Sequence, residues 1–120
     1  MNSKISENSK IEYLTKLLNR VFCVLSLYEE KESEKNMYRR KKKEVNLIKH
    51  TRRLFDEFED SSWILEPLFG GEYIEMINKV RRLQFKVRNN FVHPDVRSLV
   101  LDTTNIISRK LDEMKEGKVT

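Results

Sequence analysis

Arg88 and His93 are the two side chains best suited to work on a phosphate, and they stand five residues apart in Phe85-Lys86-Val87-Arg88-Asn89-Asn90-Phe91-Val92-His93-Pro94. A guanidinium keeps its charge at every ordinary pH and matches two phosphate oxygens with its planar fork. An imidazole is the side chain that gives or takes a proton near neutrality. In helical projection Arg88 falls at the flank of an apolar face, near Arg81 and Gln84, where a buried cation would require an anion or carbonyls beside it. On one straight helix Arg88 and His93 would stand about 140° apart. Pro94 disfavours helical geometry at the residue before it, so the imidazole has a route back toward Arg88 around the helix end.

An arginine that holds phosphate beside a histidine that moves protons is a minimal kit for cutting RNA. A base takes the 2′-hydroxyl proton, that oxygen attacks the adjacent phosphorus, and an acid protonates the departing 5′ oxygen. One histidine cannot serve as base and acid on opposite sides of one phosphorus. Two copies of the chain would supply two of each across a symmetric interface, so a twofold homodimer is expected. The scheme needs no metal. The single cysteine, Cys23, and the two histidines form no zinc-type spacing, and no cofactor is expected.

The string Arg88-Asn89-Asn90-Phe91-Val92-His93 resembles the R-N-x3-H signature of the HEPN (higher eukaryotes and prokaryotes nucleotide-binding) superfamily. The resemblance includes the place of the motif, late in a long helix and followed by another. The resemblance implies a helical bundle that dimerises and, in many members, cleaves RNA without metal, as in ribonuclease toxins of toxin–antitoxin pairs and abortive-infection proteins. It also implies that Arg88 and His93 are the active-site residues and Asn89 a polar support. Toxins paired with a nucleotidyltransferase antitoxin usually carry Tyr two residues after the histidine, and here that residue is Asp95. The superfamily also holds silent members that bind protein, nucleotide or nucleic acid as regulators. Both an endoribonuclease toxin or antiviral effector and a silent binding module therefore stand as readings. The partners implied are RNA, a second copy, and an antitoxin or regulatory protein.

The charge distribution suits a polyanion. Lys35 to Arg53 holds nine Lys or Arg and one acid, Glu44, a local +8 in a chain of net +5, so the remainder sums to −3. On a helix, Arg39, Lys42, Lys49, His50 and Arg53 fall on one side, opposite an apolar set of Met37, Val45, Leu47, Ile48, Leu54, Phe55 and Phe58. Arg39, Lys42, Lys49 and Arg53, with Arg81 one helical repeat before Arg88, are the candidate RNA-binding residues. A solvated helix face is the bland alternative for this stripe, and a plain surface histidine for His50. Tyr38 is the only aromatic residue within the basic run, too little for base-specific readout. Trp63 and Phe69 read as core or dimer-interface residues, and Cys23 as a small buried hydrophobe. No short turn-linked helix pair of the DNA-reading kind is evident.

The elements that position these residues follow from the apolar spacing. With three Gly and two Pro in 120 residues, and many Lys, Glu and Leu, long helices are favoured over a turn-rich β fold. Steps of three and four residues predict helices over about 9–30, 35–59, 72–92 and 94–115. Ile11, Leu14, Leu18, Val21, Leu25 and Tyr28 would be inward on the first of these. On the third the set is Tyr73, Met76, Ile77, Val80, Leu83, Val87 and Phe91, and on the last Val96, Leu99, Val100, Thr103, Ile107, Leu111 and Met114. Asp60-Ser61-Ser62 offers an N-cap, while Trp63-Ile64-Leu65 is too short for an independent helix and reads as a lid or single turn. The expectation is one all-α domain over 1–120, a four- to five-helix up-and-down bundle of HEPN-like kind, with 1–8 and 116–120 as flexible tails. No apolar run reaches membrane length, and the N-terminus lacks the apolar core of a signal peptide, so no membrane contact and a cytoplasmic location are expected.

Overall fold

A computed structural model describes residues 6–89 and 93–119, with side chains except at 93, 94, 118 and 119. Among these residues there are five α-helices and no strand: α1 (Glu7–Ser33), α2 (Met37–Asp60), α3 (Ser62–Phe69), α4 (Gly71–Arg88) and α5 (His93–Val119). Helices of 24 to 27 residues at 1.5 Å per residue are about 40 Å long, and laid side by side they give a rod of 52 × 28 × 21 Å. The four long helices form a ring in the order α1, α2, α4, α5, and α3 sits at the corner between α2 and α4.

The alternation of direction is written in the cross-helix pairs. Lys86–Asp95 (3.1 Å), Lys79–Asp102 (3.6 Å) and Arg109–Glu72 (3.2 Å) climb one helix by two turns for every two turns they descend the other. Surface pairs of this kind contribute little stability, about 0–1 kcal/mol each, but their repeat fixes α4 and α5 as antiparallel. Arg97–Glu29 joins the start of α5 to the end of α1, and Lys43–Glu34 joins α2 to the end of α1. The bundle therefore runs up, down, up and down. The connection 34–36 and the connection between α4 and α5 share one end.

The core consists of residues at helical spacing, each fully buried aliphatic side chain contributing about 1.5–3 kcal/mol. In α1 it takes Leu14, Leu17, Val21, Val24 and Tyr28, whereas Ile11, Leu18 and Leu25 are only partly buried. The inward set of α4 is Tyr73, Met76, Val80, Leu83 and Val87, with Ile77 partly buried, close to the expected one. Phe91 lies outside the described residues. On α5, Val96, Leu99, Val100, Thr103, Ile107 and Leu111 are buried as the spacing predicts, with Thr104 and Ile106 beside them. Thr51, Thr103 and Thr104 are tolerated inside because each hydroxyl donates to a carbonyl one turn back.

Four expectations are corrected. Met37 and Val45 are 79% and 46% exposed, because the core meets α2 along Leu47, Thr51, Leu54 and Phe58, and Val45 lies on the far side of that stripe. The segment after Ser61 is a helix of eight residues rather than a single turn, and Trp63 stands on its outer side at 62% exposure while Leu65 and Phe69 fill the corner. Ser61 occupies the N-cap position of α3 without a side-chain cap bond. Residues 7–8 and 116–119 belong to α1 and α5, and Ser6 caps α1 by accepting the Ser9 N–H. Gly70 joins α3 to α4 at φ 58° and ψ −129°, a backbone position that a side chain strains.

Candidate nucleic-acid interface

α4 is described to Arg88, and residues 90–92, the rest of the helix that the apolar spacing predicts, lie outside the described residues. Asn89 donates its backbone N–H (3.1 Å) and its side-chain amide (2.7 Å) to the Phe85 carbonyl, which closes the last turn. α5 then begins at His93, with Pro94 in its first turn, where its missing N–H costs nothing. The Arg88–His93 pair is thus divided between two antiparallel helices, and the 140° separation of a continuous helix does not apply. The imidazole of His93, and Asn90, Phe91 and Val92, lie outside the described residues. Lys86 donates to Asp95 (3.1 Å) across this corner.

Arg88 is exposed rather than buried at the apolar flank, because it is the last residue of its helix. Among the described residues it forms no ion pair. Its direction follows from Arg81, two turns earlier on the same stripe, whose guanidinium lies 5.4 Å from the centre of the Phe55 ring on α2. Arg88 accordingly belongs to the side of α4 that faces α2. Arg81 also donates to Asn78 (2.9 Å), so it is already engaged by its neighbours.

The basic run of α2 divides in two. Arg40 and Lys43 turn toward the acidic end of α1 and pair with Glu32 (3.1 Å) and Glu34 (2.8 Å). The Lys43 ammonium, with the Asn36 N–H, holds the Glu34 carboxyl below the usual carboxylate range. Arg39, Lys42, Lys49 and Arg53 are exposed, and among the described residues none of them is paired with a carboxylate. Lys42 rests over the Tyr38 ring at 4.8 Å. Tyr38, Lys41, Lys42, Val45 and Asn46 border a shallow groove of about 490 Å³ on this outer face. Its basic beginning lies at the same end of the bundle as the α4–α5 corner, a juxtaposition that the antiparallel order produces.

His50 is not a free surface residue. Its Nε2 lies 2.9 Å from the Arg20 carbonyl, across the groove between α1 and α2. That contact makes Nε2 the protonated nitrogen, since a carbonyl only accepts. Arg20, His50, Arg53, Leu54 and Glu57 line a cleft of about 290 Å³ there, and Arg20 is bonded to Glu57. Beside it the Tyr13 hydroxyl is buried, close to Ser61 and Glu57 yet in hydrogen-bond geometry with neither, and burial pushes its pKa up to about 12. Arg20 and His50 are thirty residues apart, so no local pattern could have joined them.

Sequence reasoning also missed Lys31. It is 3% exposed near the end of α1, with its ammonium 3.1 Å from Glu32 and 4.9 Å from the centre of the Tyr28 ring. A lysine next to an acidic run reads as solvated, and its burial is decided by tertiary packing. Cys23 is half-buried. Among the described residues no three His, Cys, Asp or Glu gather to hold a metal, and no helix is long and apolar enough to cross a membrane. No family model, curated protein or solved structure matches the chain.

Proposed function

We propose that this chain is an endoribonuclease of HEPN type, in which Arg88 binds and orients the scissile phosphate, His93 moves the protons and Asn89 fixes the corner between them. The observation that carries the reading is the exposed Arg88 at the end of α4, in the motif Arg-Asn-x3-His, without an ion pair among the described residues and at the same end as Arg39 and Lys42, the first uncompensated cations of α2. Arg39, Lys42, Lys49 and Arg53 give the RNA backbone a track whose hold weakens as salt rises. The Arg81 guanidinium supports the approach to Arg88.

The active unit on this reading is a homodimer, which brings two histidines to one phosphorus. Among the described residues, six of the seven exposed large hydrophobics, Met37, Tyr38, Val45, Trp63, Ile74 and Phe85, stand on α2, α3 and α4, which supports a covered face on that side of the bundle. An intracellular RNA-cutting activity of this size fits a toxin or an abortive-infection effector in the cytoplasm, held in check by an antitoxin or regulatory protein.

The second reading, a silent helical module that binds a regulator, is favoured by one observation: Asn89 already spends its amide on the Phe85 carbonyl, as a helix cap alone would. The two part in one experiment. Purified protein is incubated with RNA in EDTA beside His93→Ala. The nuclease reading expects cleavage that survives chelation, leaves 2′,3′-cyclic phosphate ends and disappears in the variant while fold and dimer persist. Well-folded wild type that cuts no class of RNA overturns it.

A further inference from the structure

We infer that the cleft between α1 and α2 is a second phosphate site, separate from the Arg88 corner, that anchors the backbone of a bound RNA. The inference rests on the RNA reading above but not on cleavage. Arg53 carries it: the guanidinium belongs both to the outward basic stripe and to the cleft lining, and among the described residues it has no carboxylate partner. A strand following Lys42 and Lys49 along the outer face of α2 reaches the cleft at this residue.

The other groups of the cleft are arranged to receive an anion. His50 is fixed by the bond from its Nε2 to the Arg20 carbonyl, so its ring cannot turn away. Arg20 is held against the wall by Glu57, which takes one side of its guanidinium and leaves the remaining N–H donors of a five-donor fork. The formal balance of Arg20, Arg53 and Glu57 is one positive charge. Leu54 supplies an apolar floor. A cleft of about 290 Å³ admits a phosphate group with part of its sugar, and is too small for a folded partner.

The cleft is remote from the Arg88 corner. Arg53 and Phe55 are two residues apart on α2, and Phe55 meets Arg81, two turns before Arg88. Arg53 is also on the flank toward α1, whereas Arg88 faces the groove between α2 and α4. An RNA engaging both must cross the outer face of α2, over Lys49 and Lys42. The shared chemistry, a phosphate oxygen on the Arg53 and Arg20 guanidinium groups, would equally suit free phosphate, so the test separates the two sources.

The test measures binding of a fluorescein-labelled single-stranded RNA to full-length His93→Ala protein over a range of salt. The comparison adds Arg53→Ala, Arg53→Lys or, as a charge-matched control on α5, Arg109→Ala. Arg53→Ala is expected to weaken binding several-fold and to lower the salt slope by about 0.7, the value of one single-strand phosphate contact. Arg53→Lys should restore the slope, and Arg109→Ala should leave it unchanged. Equal effects of Arg53→Ala and Arg109→Ala, with both proteins folded by circular dichroism, overturn the inference. A second arm titrates inorganic phosphate and follows the His50 ring resonances. If these move while RNA affinity ignores Arg53, the cleft serves free phosphate and the RNA anchor is overturned. Wild type that cuts no RNA in EDTA, together with an intact Arg53 effect on binding, would sink the nuclease reading alone.

Discussion

Replacing Tyr13 by Phe removes one oxygen from the side of the α1–α2 cleft and should make the protein more stable. Among the described residues the buried hydroxyl meets no acceptor, although Ser61 and Glu57 are close. A buried hydroxyl without a partner costs about 1–3 kcal/mol, and the isosteric ring recovers part of this, about 1 kcal/mol. For a domain of this size that raises the melting temperature by roughly 4 °C at neutral pH. The gain should grow in alkali. Burial raises the Tyr13 pKa from 10.0 to about 12, so the unfolded chain gives up this proton first and the native state loses stability as pH climbs between those values. Two units amount to about 2–3 kcal/mol, an upper figure because the adjoining cleft admits water. Tyr28 and Tyr73 are also raised by burial, but both remain in the variant and cancel in the comparison. Thermal melts followed by far-UV circular dichroism, wild type beside Tyr13→Phe from neutral pH to pH 12, measure both effects. A variant that melts lower at neutral pH would show that the hydroxyl donates to Glu57 or Ser61. A difference that stays constant with pH would refute the shifted titration.

Three further outcomes follow from particular residues. Gly70→Ala forces a side chain onto φ 58°, with no atom within 4 Å of the new Cβ, so the loss is backbone strain of about 1–3 kcal/mol, read as a lower urea midpoint at unchanged slope. Glu34, held low by Lys43, lends stability above the ordinary carboxylate range, and that stability is lost as pH falls through its lowered value; in Glu34→Gln the amide exchange of Asn36 should be fast already at neutral pH, not only in acid. Arg109→Ala opens the outermost pair of the α4–α5 ladder and should cost no more than about 1 kcal/mol in denaturant titration, since both partners face water.

Amino-acid spacing carries a great deal of this molecule. The apolar steps of α4 and α5 predicted nearly every buried residue on those helices, because both are amphipathic and pack on one side only. Proline and the paired glycines marked the corners, since their backbone limits act without any neighbour. Arg88, Asn89 and His93 were legible as a motif, and the free cations of α2 as a stripe, because residue type and spacing are local facts. Tertiary structure alone decided which of these meet. A helix has two flanks, and spacing does not say which neighbour covers each: that choice exposed Val45 and Trp63, buried Lys31, and paired Arg40 and Lys43 while leaving Arg53 open. The bond from the Asn89 amide to the Phe85 carbonyl is a contact that apolar periodicity does not register. The cleft of Arg20, His50, Arg53 and Glu57 exists only because α1 and α2 lie antiparallel, which brings residues thirty or more positions apart into hydrogen-bonding reach.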